Sequence, residues 1–399
     1  MSKLKQHMPS YANRVATLAD TTVRDTLRLA SQPGIISLGG GIPNPTLFPL
    51  EKVRQILANL SDAELSASLQ YSPTNGIVEL RTVLAQQLAK TWKSKVTPEH
   101  ILITTGSQQA LDLIAKAFID TGDKVVMENP SYLVAISAFQ TNAPEFLQLN
   151  LAPDGPDLLQ LEQILDTENP KLMYTIPTFQ NPTGFTWSDQ HRMAVLSLIA
   201  RSNCLIVEDD PYSELYFHNA PPLPMAAREK NGKILYLGTF SKTLMPGLRI
   251  GYIVAQPAII EKLTLVKQSM DLHSPTLSQM LIAKLLSDES WYQTHLNKIR
   301  AFYSQKQSIL TDLLEKHLPA SVQWNSPQGG LFIWLKITGI NSQQLLEKAV
   351  QHGVAFMPGY PFYANKPDYE TIRLTFATAE ETQLKQAVIL LGELLKGKS

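Results

Sequence analysis

The sequence lacks the features of secreted, membrane-spanning and nucleic-acid-binding proteins. Its 399 residues include one cysteine, which excludes an internal disulfide and predicts a reducing compartment, the cytoplasm. No apolar run is long enough to span a bilayer, and the first residues lack the apolar stretch of a secretory signal. Lysine plus arginine and aspartate plus glutamate number 35 each, so no net charge attracts nucleic acid or an anionic membrane. The eight histidines are scattered, and we expect no metal site.

The sequence does contain an alternation of short apolar runs and helical patterns. With 44% hydrophobic and 18% charged residues, it has the composition of a globular protein large enough for two domains. The apolar runs predict strands at residues 101–104, 124–128, 171–176, 204–208 and 234–238. Helical stretches separate them, which predicts an α/β domain with a mostly parallel sheet between helices. A helix is also expected over residues 15–31, and a smaller α+β domain beyond about residue 285.

Polar residues follow the predicted strands at their carboxyl ends. They are, in chain order, Ser107, Gln108, Tyr132, Asn181, Asp209 and Tyr212. Because the carboxyl ends of parallel strands meet at one edge of a sheet, where ligands collect, we expect these residues to form one site. The helix that begins near Ser107 can direct free backbone N–H groups at an anion. Taken singly, Ser107 is equally explained as a helix N-cap, Tyr132 as a partly buried tyrosine and Asp209 as a turn cap.

The segment Gly238–Gly251 (GTFSKTLMPGLRIG) places one lysine, Lys242, among hydroxyl groups. Thr239 and Ser241 precede it, and Arg249 follows seven residues later, a set suited to an anionic phosphate beside an amine. A lysine amine attacks a carbonyl only in its neutral form, which burial or nearby cations favour. The alternative is an ordinary solvated cation, and the segment alone leaves both interpretations open.

The order of these motifs is similar to that of a known family. The sequence resembles the fold-type I pyridoxal-phosphate aminotransferases of class I/II in carrying, in order, Ser107-Gln108, Tyr132, Asn181-Pro182-Thr183-Gly184, Asp209-x-x-Tyr212, Ser241-Lys242, Arg249 and Arg373-Leu-Thr-Phe. It is most similar to their 2-aminoadipate/kynurenine branch, from about residue 20 to the C-terminus. The resemblance implies a large cofactor-binding domain at 46–288 and a small C-terminal domain at 289–399, and the N-terminal segment 1–45 joins the small domain.

The resemblance also implies a role for each residue around the cofactor, pyridoxal 5′-phosphate. Lys242 forms the Schiff base and moves the substrate proton, while Asp209 pairs with the protonated ring nitrogen. Tyr212 and Asn181 hydrogen-bond the ring oxygen, and Tyr132 stacks on the ring. The implied phosphate ligands are Ser107, Gln108, Thr239, Ser241 and Arg249.

Substrate and partner residues follow from the same resemblance. Arg373 is expected to bind the substrate α-carboxylate with Gly40 and Asn181 nearby, and Tyr71 to reach the phosphate of a neighbouring subunit in a homodimer. The interval from Lys242 to Arg249 is one residue shorter than in aspartate aminotransferases, and Thr239 replaces their usual serine or glycine. These departures favour the aminoadipate-like branch. Arg24 lies where that branch can bind an acidic side chain, although a solvated arginine explains it equally well.

The expected reaction is transfer of an amino group from an amino acid of the 2-aminoadipate, aromatic or branched-chain type to a 2-oxo acid, 2-oxoglutarate. A lyase on the same scaffold is an alternative, because both reactions use a carboxylate clamp such as Arg373. A cofactor-binding regulatory domain is another, but it requires a DNA-binding module and a basic patch. The sequence leaves the amino donor open, since one methylene group changes selectivity by only about 1–3 kcal/mol.

Overall fold

The largest part of the fold is one sheet, in which the carboxyl ends of several strands lie at the same edge. The computed structural model describes Ala12 and residues 34–397, so Arg24 and the helix predicted over residues 15–31 lie outside the described residues. The first strand, β1 (Ile36–Ser37), belongs to a separate pair. The strands of the large sheet are β2 (Ile101–Thr104), β3 (Lys124–Asn129), β4 (Glu145–Ala152), β5 (Gly155–Pro156), β6 (Leu172–Thr175), β7 (Leu205–Asp210), β8 (Ile234–Thr239) and β9 (Gly251–Val254).

The large sheet is mixed but mostly parallel, with the order β2-β9-β8-β7-β6-β3-β4-β5. The pairs from β8 to β4 are parallel, whereas β9 runs antiparallel to both of its neighbours and β5 runs antiparallel to β4. The carboxyl ends of β2, β3, β6, β7 and β8 therefore share one edge. Strand β9 begins at that edge, because Gly251 lies opposite both Thr104 and Thr239. The predicted α/β fold class is confirmed.

The predicted strands are present, and the end of β7 differs from the prediction in a way that affects the site. The sequence predicted this strand to end at Glu208, but it continues through Asp209 and Asp210. Successive side chains of a strand point to opposite faces. Accordingly, Asp209 accepts a hydrogen bond from Tyr174 and Asp210 accepts one from Tyr236. The strand itself, and not a following turn, sets the direction of the Asp209 carboxylate.

Helices accompany the large sheet, and its central strands are buried. The helices of this part are α1 (Leu50–Ala58), α2 (Asp62–Ser68), α3 (Val78–Trp92), α4 (Ser107–Phe118), α5 (Leu133–Gln140), α6 (Leu158–Glu168), α7 (Asp189–Ala200), α8 (Pro257–Gln268) and α9 (Thr276–Ser287). In β3, Val125, Val126 and Met127 have no exposed surface, as expected for a parallel strand covered on both faces. Among the described residues, no helix has the length and apolarity needed to cross a membrane.

The C-terminal part of the chain has its own antiparallel sheet. Its elements are α10 (Glu289–His317), β10 (Val322–Trp324), β11 (Phe332–Ile337), α11 (Ser342–Gln351), β12 (Val354–Ala355), β13 (Met357–Pro358), β14 (Thr371–Thr375) and α12 (Glu381–Lys396). The sheet order is β10-β11-β14-β13, and β1 pairs in parallel with β12. The N-terminal segment thus contributes to the C-terminal part, while domain boundaries at residues 45 and 288 stay a prediction.

The last helix, α12, begins at Glu381, and its N-cap is Glu380, which forms a capping box with Gln383. A carboxylate at the N-cap can accept a backbone N–H as a serine or threonine hydroxyl does.

Candidate active site

Lys242 follows β8, and its amine is buried at the shared edge of strand ends. Its Nζ donates a hydrogen bond to the Gly41 carbonyl at 2.7 Å. Burial lowers the pKa of Lys242 to about 8; the charges of Arg373 and Arg249 lower it further, and Asp209 opposes them. An ordinary lysine titrates about two pH units higher. A sizeable neutral fraction therefore exists at mildly alkaline pH, which makes this amine a candidate nucleophile.

Asp209 presents one carboxylate oxygen that has no partner. Its Oδ2 accepts a hydrogen bond from the Tyr174 hydroxyl at 2.7 Å, whereas the buried Oδ1 has no hydrogen-bond partner among the described residues. Burial raises the pKa of Asp209 to about 7, with the Tyr174 hydrogen bond lowering it, Asp210 raising it and Lys242 lowering it. An unpaired buried acceptor is costly, so a group that donates a charged N–H to Oδ1 would be strongly bound.

Three polar side chains lie near these charged groups, those of Tyr132, Asn181 and Tyr212. The hydroxyl of Tyr212 is buried, which raises its pKa above the ordinary value, and a hydrogen bond with Asn181 lowers it in part. Burial raises the pKa of Tyr132 to about 12; Asp209 adds to the rise, and Arg373 and Arg249 oppose it. Tyr132 is therefore within electrostatic reach of the other charged groups of the site.

Arg373, in the middle of β14, is a buried cation whose hydrogen bonds go to neutral oxygens. Nη1 donates to Asn181 Oδ1 at 2.6 Å and Nη2 to the Gly39 carbonyl at 2.7 Å, while the buried Nε has no partner in the described part of the chain. The guanidinium lies 4.1 Å from the ring centre of Phe332 and 4.9 Å from that of Phe362. Burial lowers its pKa to about 10. A guanidinium held in this way is ready to bind a carboxylate.

Two glycines and one arginine form a cradle at the start of α4. Gly106 has φ of +77°, and a Cβ placed on it would lie 2.5 Å from Arg249 Nη2. A Cβ on Gly251 would lie 2.8 Å from the backbone nitrogen of Ser107. Arg249 itself has a left-handed φ of 54°, unusual for a non-glycine residue. Free N–H groups at a helix start beside a guanidinium suit a phosphate dianion.

The hydroxyls expected at this cradle also lie together. Thr239 Oγ1 and Ser241 Oγ are 3.0 Å apart, and the backbone N–H of Ser241 donates to Thr239 Oγ1 at 3.2 Å. Gln108 is exposed in the first turn of α4. The residues present therefore fit a phosphate at the helix start and a protonated ring nitrogen at Asp209.

Three further residues expected at a site make no side-chain contact with the groups above that the structure describes. Tyr71 is 78% exposed and its ring packs edge-on against His273, with centroids 5.7 Å apart. Gly40 lies between the two glycines whose carbonyls contact Arg373 and Lys242, so those contacts come from its neighbours Gly39 and Gly41. Arg24 falls outside the described residues.

Several residues of the site were not found from the sequence. Tyr174 stands in the apolar run of β6 and looks like a core tyrosine, although its hydroxyl binds Asp209. Phe332 and Phe362, whose rings enclose the Arg373 guanidinium, lie in segments without a polar motif. No local pattern distinguishes these three from other buried aromatic residues.

A lysine of lowered pKa, an unpaired buried carboxylate and a phosphate cradle at the carboxyl edge of this sheet define the class of fold-type I pyridoxal-phosphate enzymes. The chain belongs to the family "Aminotransferase class I and II", whose model matches residues 33–390. It is 41% identical over 381 residues to the 2-aminoadipate transaminase of Thermus thermophilus, covering 94% of each chain. It is 38% identical to aromatic-amino-acid aminotransferase 1 of Thermococcus litoralis, covering 97% of this chain and 94% of the relative.

Among solved structures, the Pyrococcus horikoshii kynurenine aminotransferase in complex with PMP superposes with a TM-score of 0.93. It is 37% identical to this chain and covers 97% of each. The protein is accordingly a transaminase, and its cofactor is pyridoxal 5′-phosphate. The prediction of the family, the reaction type and the cofactor is confirmed.

Proposed function

We propose that the protein transfers the amino group of a 2-aminoadipate-type, aromatic or branched-chain amino acid to 2-oxoglutarate, with Lys242 as the Schiff-base residue. The main support for this proposal is the buried guanidinium of Arg373, which makes no hydrogen bond to a carboxylate in the described part of the chain. An uncompensated buried cation favours an anionic ligand. The α-carboxylate is the anion that amino acids and 2-oxo acids share. The names of the two relatives support the first two donor classes.

In this proposal each side chain has a task that its surroundings support. When bound, the cofactor supplies an aldehyde that condenses with an amine and a ring that accepts an electron pair. Lys242, whose pKa is about 8, accepts the proton from the substrate Cα and would then donate it to a second carbon rather than back to Cα, as amino-group transfer requires. Arg373 orients the α-carboxylate with Asn181, and Asp209 Oδ1 accepts a hydrogen bond from the protonated ring nitrogen. We further propose a cytoplasmic role in amino-acid biosynthesis.

A panel of amino donors tests the substrate proposal. We expect 2-aminoadipate and glutamate to react with a 2-oxo acid, and Arg24→Ala to lower kcat/KM for both about tenfold to a hundredfold, as loss of a charge-assisted hydrogen bond does. Leucine and phenylalanine should lose little, because they present no second carboxylate. The measurement is 2-oxo acid formation with each donor.

Arg201→Ala is the matched control for this panel, because Arg201 is an exposed arginine paired with Glu162 at the end of α7. An equal loss for acidic and apolar donors would show that Arg24 does not contact the side-chain carboxylate. Ammonia release without any 2-oxo acid would instead indicate lyase chemistry.

We also propose that a second copy of the chain covers the face that carries Tyr71. Apolar side chains with exposed surface concentrate in the neighbouring segments, at Ile42, Leu50, Leu57, Leu65, Leu69, Val78, Met270 and Leu272. Leu69, next but one to Tyr71, is 73% exposed. Exposed apolar side chains favour association, and in this proposal the two-fold dimer brings the partner's Tyr71 to the phosphate cradle.

Mixed dimers test whether Tyr71 acts across subunits. Tyr71→Ala and Lys242→Ala variants, each weakly active or inactive alone, are co-expressed so that their subunits combine. A mixed dimer then has one site with an intact Lys242 and an intact tyrosine from its partner. We expect about a quarter of wild-type activity, because half of randomly formed dimers are mixed and each has one complete site. If activity stays at the sum of the two variants, Tyr71 does not reach the neighbouring site.

A further inference from the structure

Glu128 is a buried carboxylate outside the groups assigned above, and its hydrogen bonds point toward one loop. It stands near the end of β3 with 1% of its surface exposed. Its oxygens accept hydrogen bonds from the Thr175 hydroxyl, from the backbone N–H of Ile176 at 3.2 Å and from Gln180 Nε2 at 3.0 Å. These donors belong to the end of β6 and the loop that follows it. The carboxylate therefore ties that loop to the neighbouring strand.

The side-chain amide of Gln180 carries this connection into the loop, and every one of its hydrogen-bonding positions is used. Its Nε2 donates to Glu128 Oε2 and to the Pro130 carbonyl at 2.8 Å. Its Oε1 accepts from both the backbone N–H and the hydroxyl of Thr183, each at 2.8 Å. Because two acceptors face the amide nitrogen and two donors face the amide oxygen, the side-chain amide can adopt only one orientation. The side chain of Gln180 thus joins Thr183 of its own loop to Glu128 and Pro130 outside the loop.

Asn181, the next residue, makes its side-chain contacts with groups of the active site. Its Oδ1 accepts a hydrogen bond from Arg373, and it lies beside the Tyr212 hydroxyl, whose pKa it lowers. The proposed function gives Arg373 the substrate carboxylate, and the family resemblance implies that Tyr212 binds the ring oxygen. The backbone on either side of it is fixed by Gln180 and Thr183. The position of Asn181 therefore depends on the hydrogen bonds that Glu128 and Gln180 make. A displacement of about 1 Å at such a position can cost a hundredfold in rate.

We propose that Glu128 is a positioning residue of the active site, which acts through Gln180 to hold Asn181 against Arg373 and Tyr212. This inference rests on the proposed roles of those two residues. Glu128 itself hydrogen-bonds neither of them. When Glu128 is ionised, the bonds to it are charge-assisted, which makes them shorter and stronger than bonds between neutral groups.

The protonation of Glu128 is consistent with this role. Burial raises its pKa to about 7, while the hydrogen bonds from Thr175 and Gln180 lower it. Above that pH the group is an acceptor only, as its three donors require. A glutamine in its place loses the negative charge, and its oxygen can accept from both Ile176 and Gln180 only if its N–H₂ group faces Thr175, whose hydroxyl must then turn to accept.

The test is Glu128→Gln in the cofactor-loaded enzyme. We expect KM for amino acids to rise about tenfold with a smaller change in kcat, comparable to loss of a group that orients another group at a site. We also expect the pH midpoint of the cofactor's visible absorbance to shift, because Tyr212 and Asn181 loosen together. In the cofactor-free protein, the Thr183 amide should exchange its hydrogen at least about tenfold faster, a readout that does not depend on activity.

Asp210→Asn is the matched control, because Asp210 is also a buried carboxylate and lies on strand β7 of the same sheet. It accepts hydrogen bonds from the Ser213 backbone N–H and the Tyr236 hydroxyl, on the face of the sheet opposite Asp209. Any loss of activity or stability that both variants show is a general effect of removing a buried carboxylate. A change in KM, in the absorbance midpoint and in Thr183 exchange that is confined to Glu128→Gln supports the positioning role.

Gln180→Met keeps the test decisive if Glu128→Gln does not fold. This variant removes the connection while preserving side-chain length, and we expect it to reproduce the same three changes. In the double variant the effect on KM should be no larger than in Gln180→Met alone, because both residues act along one path. Wild-type KM and wild-type Thr183 exchange in both single variants would overturn the inference, and so would additive effects. A wild-type enzyme that fails to transaminate any donor would instead refute the proposed function.

Discussion

Lys242→Ala is expected to abolish both transamination and the visible absorbance band of the protein mixed with pyridoxal phosphate. The expected loss in kcat is at least about ten-thousandfold, because one side chain supplies both the attachment and the proton transfer. Borohydride reduction followed by mass spectrometry should find a pyridoxyl group on the peptide that contains residue 242 in the wild type and nowhere in the variant. An unchanged band in Lys242→Ala would refute the assignment.

Lys306→Met is the matched control for this variant. Lys306 is also a buried lysine whose Nζ donates to a backbone carbonyl, that of Ala379 at 2.7 Å, but it lies in α10 of the C-terminal part. We expect Lys306→Met to retain the band even if it is less stable. Loss of the band in both variants would mean that the band reports general unfolding.

The pH dependence of cofactor binding follows from the same lysine. Its pKa in the folded protein is about 8, lower than the ordinary value of 10.5, so the neutral amine becomes the major form above about pH 8. The rate of band formation should therefore rise about tenfold per pH unit well below pH 8 and level off above it. A stopped-flow series between about pH 6 and about pH 9 measures this rise.

The sequence predicted the sheet and the residues at its edge because both depend on local patterns. Strand β2 is found at the predicted residues 101–104, since a short apolar run followed by glycine and a helical pattern has few other interpretations. The same reasoning placed Ser107, Asn181 and Lys242 near one edge, because parallel strands have their carboxyl ends together.

The contacts that arise from long-range packing were not predictable in this way. Arg373 meets Asn181 and the Gly39 carbonyl over 192 and 334 residues of sequence. No sequence pattern singles out Glu128, because its partners become neighbours only when β3 pairs with β6. Asp209 was predicted correctly as a polar residue at a strand end, but its inclusion in β7 determines where its carboxylate points.

Asp209→Asn should make the cofactor-free protein more stable and the enzyme much slower. The pKa of Asp209 is raised by burial to about 7, above the ordinary value of 3.8. The folded state thus retains a proton that the unfolded state loses, so stability falls as pH rises from about 4 to about 7, and the whole cost is present above about pH 7. Asparagine removes this cost. The unfolding temperature of the cofactor-free variant should exceed that of the wild type at about pH 8, and the difference should shrink toward about pH 5.

Catalysis should change in the opposite direction, because an amide cannot neutralise a protonated ring nitrogen. The introduced asparagine can still accept the Tyr174 hydroxyl, but its N–H₂ then occupies the position of the unpaired Oδ1 and faces another donor. Breaking a buried charged pair costs about 3–5 kcal/mol, which corresponds to a loss in kcat between about a hundredfold and several thousandfold. Single-turnover kinetics with a saturating donor measure it.

Asp210→Asn is the control that separates this effect from a general loss of charge at the end of β7. The Asp210 carboxylate accepts hydrogen bonds from the Ser213 backbone N–H and the Tyr236 hydroxyl, on the face of the sheet opposite Asp209. We expect its replacement to change kcat only a few-fold, because Asp209, the residue proposed to hold the cofactor ring, points to the other face. If Asp209→Asn kept the wild-type kcat, Asp209 would not pair with a cation during catalysis. If the cofactor-free variant were less stable than the wild type at about pH 8, burial of the Asp209 carboxylate would not destabilise the cofactor-free protein.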